Sequence, residues 1–254
     1  MKKFVHALVL TGLVGMPTFA MAAEEPASPH TLSANVGFTN DYRFRGISQT
    51  FKDPAIQGGL DYSHASGVYL GTWASNVDPD FLAGSNMEWD FYGGYTFDVG
   101  PVGLNVGGLY YYYPGKDKAA AGFDPNTFEV YAGATWEWLN VKYSHSTTKY
   151  FGVPDSNGTG YLEANVTVPL MYDISLAAHY GKTYLDGSGN TDYSDWKIGV
   201  SKEIVGLNFG LAYVDTNIKS TNASWGYVTA YNNGGTDTKN LADGKLLISV
   251  SKSF

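Results

Sequence analysis

Charged residues at alternate positions are the first feature of this sequence that could do chemistry. Asp41, Arg43 and Arg45 are each separated by one residue, so an extended chain would place all three on one side. Acidic residues in other alternating segments include Asp61, Glu88, Asp90, Glu129 and Glu163. One interpretation is a charged constriction in which Arg43 and Arg45 face the carboxylates of Glu88, Asp90 and Glu129. The other is a salt-bridged plug that only holds the interior shut.

One segment could support hydrolysis, namely Tyr143-Ser144-His145-Ser146-Thr147-Thr148-Lys149. It resembles the Tyr-x-His-x-Ser-Asn-Gly strand motif of outer-membrane phospholipase A, a barrel that also has twelve strands. The resemblance covers Tyr143 and His145, while Thr147 stands where that motif has its nucleophilic serine. The sequence contains no serine-hydrolase elbow, zinc-protease, phosphate-loop or calcium-loop motif. We therefore expect no enzyme, cofactor or metal site, and the phospholipase-like barrel is a minor alternative.

The composition narrows the class of protein that holds these residues. Of 254 residues, 31 are glycine and 20 are tyrosine, while 15% are aromatic, 16% are charged and none is cysteine. Without cysteine there can be no disulfide framework, thiolate zinc site or cysteine nucleophile. The aromatic content argues against disorder. A net charge of −8 and a pI of about 5.0 argue against nucleic acid as a partner.

The N-terminus has the three parts of a secretory signal peptide. Two lysines precede a short apolar core at residues 5–19, and Ala20-Met21-Ala22 is a cleavage site of small residues. The apolar core is shorter than the ~20 residues that a membrane-spanning helix needs. We expect residues 1–22 to be removed on export and residues 23–254 to form one domain.

This domain alternates between apolar and polar residues with a period of two. Trp89 and Phe91 fall on one face of their segment, whereas Glu88 and Asp90 fall on the other. Since successive side chains of a strand point to opposite faces, such alternation predicts strands with one apolar face. We predict twelve strands, which begin near Leu32, Ala55, Val68, Asn86, Val102, Thr127, Leu139, Tyr161, Tyr172, Ser194, Gly206 and Gly244.

The length of the strands and the low charge of their polar faces indicate which face is inside. The predicted strands have ~10–13 residues, more than the usual ~5–6, and a transmembrane strand needs ~9–11. These features favour an all-β, antiparallel up-and-down barrel of about 12 strands in a bacterial outer membrane over a soluble sandwich. The sheet must close, because an open edge in lipid would leave backbone groups without hydrogen bonds.

The connections between the predicted strands alternate in length. Six are long and five are short, and Gly100-Pro101 is one of the short turns. Short periplasmic turns, long external loops and an even strand number are the plan of bacterial outer-membrane barrels. Boundaries are least distinct at residues 68–77 and 216–243, and residues 225–231 are open to either an extra strand or an inward fold.

With the apolar faces toward lipid, the inner wall would collect the charged residues. Its further members are Glu137, Lys142, Asp195 and Lys197. Acidic groups outnumber basic ones along this wall, so we predict a weak preference for cations. Twelve strands enclose less space than the 16–18 strands of an aqueous channel. We expect passive passage of small solutes through a narrow lumen, and a closed structural or adhesive barrel is the alternative.

Aromatic residues near the strand ends predict contact with the lipid interface. On the apolar face these are Tyr42, Phe44, Trp89, Tyr110, Tyr112, Trp136, Trp138, Tyr143, Tyr172, Trp196 and Tyr213. A second set, Tyr92, Tyr111, Tyr113 and Tyr131, is predicted to face the interior. The first set makes outer-membrane lipid an expected partner.

The last strand carries a second expected interaction. Leu246, Ile248, Val250 and Phe254 lie on one alternating face, although Lys252 interrupts it. A terminal phenylalanine that closes an amphipathic strand resembles the assembly signal of outer-membrane barrels. We therefore expect the barrel assembly machinery to recognise Phe254.

A longer resemblance covers nearly the whole domain. Residues 42–49 read Tyr-Arg-Phe-Arg-Gly-Ile-Ser-Gln, and Pro54 and a glycine-rich segment follow them. This stretch resembles the hallmark of the TorF family of porins, and residues 88–95 and 193–201 resemble later blocks of that family. The resemblance implies an outer-membrane barrel of the porin class and implies no particular solute.

Overall fold

The computed structural model describes residues 28–187, 192–219, 230–231 and 238–254. In this part of the chain, twelve long antiparallel strands form a closed barrel. The predicted signal peptide, residues 1–22, lies outside the described residues, and so does most of the segment at 225–231. The strands are β1 (His30–Thr39), β2 (Ala55–His64), β3 (Val68–Asn76), β4 (Met87–Val99), β5 (Val102–Tyr112), β6 (Thr127–Trp136), β7 (Leu139–Ser146), β8 (Gly160–Pro169), β9 (Ile174–Tyr184), β10 (Tyr193–Ile204), β11 (Leu207–Thr216) and β12 (Lys245–Ser253).

Each strand pairs with its neighbours in the chain, and β1 closes the barrel against β12. The up-and-down topology and the alternation of six long with five short connections confirm the prediction. Every barrel strand begins within two residues of its predicted start. The period-two pattern is regular because each strand has an apolar outer face and a polar inner face.

The outer and inner faces of the barrel differ sharply in chemistry. The exposed large hydrophobic side chains of β4 are Trp89, Phe91, Tyr95, Phe97 and Val99, while the buried side chains of the same strand are Glu88, Asp90 and Tyr92. The barrel is thus apolar outside, and charged and aromatic side chains fill its interior. Leu32, Ile56, Leu70, Val130, Ile198, Leu211 and Ile248 continue the apolar belt on other strands.

The predicted positions of three aromatic or charged residues are wrong. Tyr42 and Phe44 do not contact lipid, because they follow the end of β1 and are buried inside the barrel. Glu137 does not line the inner wall, because it lies exposed in the turn between β6 and β7 with φ of 51°. The other members of the predicted girdle lie on the outside, where Trp89, Trp136, Trp138, Tyr143 and Tyr172 are exposed.

A short helix, Lys118–Ala121, lies in the connection between β5 and β6. Asp117 caps its start by accepting hydrogen bonds from the backbone N–H groups of Ala119 and Ala120, and Gly122 ends it in the left-handed conformation. Among the residues described, no helix is long and apolar enough to cross a membrane.

The first long connection, residues 40–54, folds into the barrel. Its strands Arg43–Phe44 and Ile47–Ser48 pair with each other, and all of residues 41–51 are buried. We call residues 41–51 the plug hairpin. Asp41, Arg43 and Arg45 were expected to project from the end of a barrel strand; they lie instead on this separate hairpin, because β1 ends at Thr39.

Candidate functional site: the plugged lumen

The plug hairpin reverses direction at Arg45 and Gly46. Both residues have positive φ, 47° and 81°, which is the pattern of a type I′ turn between two strands. A side chain at position 46 would not fit, since its Cβ would lie 2.4 Å from Cγ2 of Thr216 and 2.8 Å from Cβ of Asp195. The tip of the hairpin therefore rests against β10 and β11, which lie three and two strands away from β1 around the barrel.

Two apolar clusters hold the hairpin from its two sides. Phe44 meets the rings of Tyr111 and Phe151 edge-on, with centroids 5.5 Å and 5.3 Å away. Ile47 and Phe51 belong to a second buried cluster that includes Leu241. The hairpin is thus packed like a domain core rather than suspended in the lumen.

Asp41 and Arg43 fasten the hairpin to the segment that precedes β12. The carboxylate of Asp41 accepts hydrogen bonds from Nε of Arg43 at 2.7 Å and from Oγ of Ser48 at 2.6 Å. Nη1 of Arg43 donates to the backbone oxygens of Leu241 and Asp243, both at 2.9 Å. Nη1 also donates to the oxygen of Gly46, whereas Nη2 makes no hydrogen bond and lies 3.6 Å from Oδ1 of Asp243. Among the described residues, Arg43 forms no ion pair with the acidic residues of β4 and β6.

Arg45 joins the hairpin to the barrel wall. Its Nη2 donates to Oε2 of Glu129 at 2.8 Å, and its Nη1 donates to the hydroxyl of Tyr150 at 3.1 Å. The guanidinium carbon also lies 4.1 Å from the ring centre of Tyr161. Burial raises the pKa of the Tyr150 hydroxyl, although Arg45 opposes this effect, so the phenol is neutral at physiological pH.

Tyrosine hydroxyls satisfy two of the other lumenal acids. Glu88 accepts from the hydroxyls of Tyr42 at 2.6 Å and Tyr113 at 2.5 Å. Asp61 accepts from the hydroxyl of Tyr92 at 2.5 Å. These short bonds to charged acceptors compensate for the loss of water around the carboxylates.

Asp90 differs from its acidic neighbours. Its side chain is 5% exposed, and its Oδ1 is fully buried without a hydrogen-bond partner. The register places Trp73 on one side of it and Tyr111 on the other. An ionised carboxylate in such surroundings is costly unless a cation or a donor reaches it.

A continuous polar network runs along the inner face of β7 to β10. Lys142 pairs with Glu163 at 2.8 Å, and Nε2 of His179 lies 2.9 Å from Oδ1 of Asp195. Nδ1 of His179 lies 2.7 Å from Oδ1 of Asn165, whose amide nitrogen donates to Glu163 at 3.0 Å. Lys197 stands opposite His179 in the register of β9 and β10.

A family model described as "Bacterial protein of unknown function (Gcw_chp)" matches residues 23–254. The chain belongs to this family. No curated protein matches the sequence significantly.

Solved structures with a similar fold include porins. The chain resembles a structure titled "KdgM porin" with a TM-score of 0.52 and 9% identity, over 87% of this chain and 99% of that one. It also resembles "KdgM porin in complex with disordered oligogalacturonate" with a TM-score of 0.52 and 8% identity, over 88% and 98% of the two chains. At this identity the likeness establishes the fold of the Gcw_chp chain and nothing finer.

The predicted lumenal residues thus divide into groups. Arg45 and Glu129 form a direct pair, whereas Arg43 pairs with Asp41, and Glu88 with two tyrosines. Glu163 on β8 pairs with Lys142 on β7. The inward position of Tyr92, Tyr111, Tyr113 and Tyr131 agrees with the alternation, since each of them packs in the core cluster or against it.

The sequence does not predict Asp243, His179 or the tyrosine hydroxyls as partners of these residues. Asp243 belongs to the last connection, which carries no periodic signal, and His179 is a single histidine between Ala178 and Tyr180. The tyrosines were predicted to face inward, but nothing in their spacing showed that their hydroxyls donate to Glu88, Asp61 and Glu129. Such pairs depend on strand register, which the sequence does not specify residue by residue.

The phospholipase-like segment lies on β7 and just beyond it. His145 faces outward next to the ring of Tyr143, with centroids 6.3 Å apart. The hydroxyl of Thr147 donates to the backbone oxygen of Phe128 at 3.3 Å instead of approaching His145. In the described residues, no group of three or more His, Asp and Glu side chains has an arrangement suited to a metal ion.

Proposed function

We propose that this chain is an outer-membrane porin through which small solutes diffuse passively along a narrow, charged lumen. The observation that carries this proposal is the closed barrel with an apolar outer belt and a charged inner wall. A barrel of this kind satisfies every backbone group within a bilayer and encloses a polar path. The likeness to porin structures supports the fold on which the proposal rests.

The charged lumen would give the channel its selectivity. Glu88 and Asp90 project inward from β4 and Glu129 from β6, and the cation Arg45 pairs with Glu129. We therefore propose a weak preference for cations, to which Glu137 does not contribute because it lies in a turn. Reversal potentials that show anion selectivity would contradict this.

The solute is best identified with a panel. Liposomes that contain the protein are expected to swell in neutral sugars, amino acids or nucleosides of small size and to exclude larger ones. An oligogalacturonate belongs in the panel, because a porin of similar fold has been seen with that ligand. Liposomes that swell in none of these solutes would oppose the proposal.

The main alternative is a closed structural or adhesive barrel. It is favoured by the dense packing of the plug hairpin, which fills the end of the barrel near the long connections. Planar bilayers distinguish the two functions, since a closed barrel produces no conductance steps. A phospholipase would instead hydrolyse a phospholipid analogue and lose that activity in His145→Ala.

We also propose the cellular partners of the barrel. The exposed aromatic belt would contact outer-membrane lipid, and the exposed Phe254 would be recognised by the barrel assembly machinery. The resemblance of residues 42–49 to the TorF family remains a prediction.

Folding in the outer membrane is testable, because folded barrels resist unheated SDS and migrate differently after boiling. Recovery of the protein in the soluble periplasmic fraction without such a shift would falsify this placement.

A further inference from the structure

The carboxylates on the wall of β4 and β6 exceed the cations that reach them. Glu88 and Asp90 are two residues apart on β4, and Glu129 lies on β6. Arg45 is bonded to Glu129. Arg43 is bonded through Nε to Asp41 and through Nη1 to backbone oxygens, and its Nη2 lies 3.6 Å from Asp243. Glu88 receives two tyrosine hydroxyls. Of the three acids, Asp90 is the one whose side chain has neither an ion pair nor a hydroxyl donor among the described residues.

Asp90 is buried, so water cannot replace the missing partner of its carboxylate. Asp90 is only 5% exposed. Its Oδ1 is shielded from solvent and has no hydrogen-bond partner among the described residues. Buried carboxyl oxygens are nearly always hydrogen-bonded or bound to an ion. An orphaned oxygen in a barrel interior therefore points to a group that completes it.

The surroundings of Asp90 define the chemistry of that group. Trp73 and Tyr111 flank it in the register, and the ring of Tyr42 lies 5.4 Å from the ring of Trp73. Aromatic faces attract cations and do not attract anions. In the described residues, no three acidic or histidine side chains converge as a metal site would need. A singly charged cation fits these limits, and a multivalent metal does not.

We propose that Asp90 is a cation-binding subsite of the lumen, which takes a singly charged cation between its carboxylate and the neighbouring aromatic rings. The cation is either an alkali ion or the ammonium group of a small amine. This inference deepens the proposed channel function by naming its solute class. It also explains how the barrel tolerates an excess of buried negative charge.

The test measures stability in detergent, so it does not depend on conductance. The folded protein is unfolded in urea at constant ionic strength, while N-methylglucamine chloride is replaced stepwise by KCl or by methylammonium chloride. A ligand that binds only the folded state raises the unfolding midpoint as its concentration rises. We expect this rise for the native protein, its loss in Asp90→Asn, and its retention in Asp61→Asn, whose carboxylate already has Tyr92 as donor.

Each outcome has a definite meaning. A rise with potassium alone assigns the site to alkali ions, and a rise with methylammonium assigns it to ammonium groups. No cation-dependent rise in the native protein, or an equal rise in Asp90→Asn, would overturn the inference. If Asp90→Asn is as stable as the native protein and neither responds to cations, the carboxyl is protonated instead. A cation response without conductance would leave the subsite standing and remove the channel function.

Discussion

At the scale of single residues, the side chain of Arg45 joins the plug hairpin to three segments of the barrel. Its guanidinium bonds Glu129 of β6 and Tyr150 of the connection after β7, and it covers the ring of Tyr161 on β8. The backbone of Arg45 is left-handed, a conformation that costs a non-glycine residue ~1–2 kcal/mol. The ion pair and ring contacts compensate for this cost, so the turn and the charge pair stabilise each other.

Removing the Arg45 side chain should therefore destabilise the barrel. In Arg45→Ala the carboxylate of Glu129 is left buried and unpaired, which typically costs ~3–5 kcal/mol. Urea unfolding of the detergent-folded protein measures the loss. The double variant Arg45→Ala/Glu129→Gln should recover part of the stability, because no unpaired charge remains. A loss below ~1 kcal/mol in the single variant would place the pair in solvent rather than in a packed lumen.

The network around His179 makes a second prediction at this scale. Asn165 turns its amide nitrogen to Glu163, so its oxygen faces Nδ1 of His179, while Nε2 faces the carboxylate of Asp195. The oxygen of Asn165 can only accept, so Nδ1 of His179 must carry a hydrogen and donate to it. Nε2 lies 2.9 Å from Oδ1 of Asp195 and 3.0 Å from the hydroxyl of Tyr161, so it can donate to the carboxylate or accept from the phenol. Nitrogen-15 spectra of the imidazoles should show a protonated Nδ1 for His179, with the outward-facing His145 as reference. A pyridine-like Nδ1 on His179 would contradict the hydrogen-bond assignment.

At the scale of strands, glycine and tyrosine are interlocked. A Cβ at Gly71 would lie 2.3 Å from the ring of Tyr92, and a Cβ at Gly181 would lie 2.0 Å from the hydroxyl oxygen of Tyr161. Each ring covers the bare backbone of a glycine on the adjacent strand, as aromatic residues do over glycines in designed sheets. The packing of strands around a small lumen thus accounts for a part of the glycine and tyrosine in this chain.

We expect Gly71→Ala to lower the urea midpoint, since the new methyl group overlaps the Tyr92 ring and such overpacking costs ~1–3 kcal/mol. The penalty should shrink in a Tyr92→Ala background, because the two positions are in direct contact. Gly133→Ala is the matched control, as its Cβ would make only ordinary contacts of 3.4 Å or more. Equal penalties at positions 71 and 133 would argue against the interlock.

The elements also show what a sequence can predict. Alternation and loop length were sufficient to predict all twelve barrel strands, because an apolar outer face and a polar inner face impose a period of two on each strand. The sequence predicts residues 42–45 as the end of the first barrel strand, since aromatic residues and arginines alternate there. This alternation is the same as that of a strand in the barrel wall. Only the left-handed turn at Arg45 and Gly46 and the packing on both sides distinguish them.

At the scale of the whole molecule, the mean hydropathy of −0.18 conceals a division between two surfaces. Apolar side chains outside and charged side chains inside alternate along every strand, so their average resembles that of a soluble protein. The plug hairpin adds a third region, a compact core within the barrel. The proposed function depends on the path that this core leaves open, which makes the hairpin the element that sets conductance.

Single-channel recording in planar bilayers tests this account most directly. The backbone N–H of Gln49 donates to the oxygen of Tyr42 at 2.8 Å, so residues 43–48 can be replaced by an Asn-Gly turn without stretching the chain. A second variant, in which Gly-Ser replaces the exposed helix Lys118–Ala121, controls for loop shortening. We predict small discrete steps for the native protein and the control, and several-fold larger steps for the variant without the hairpin tip. Equal steps in all three proteins, or none in any, would contradict a porin narrowed by its plug hairpin.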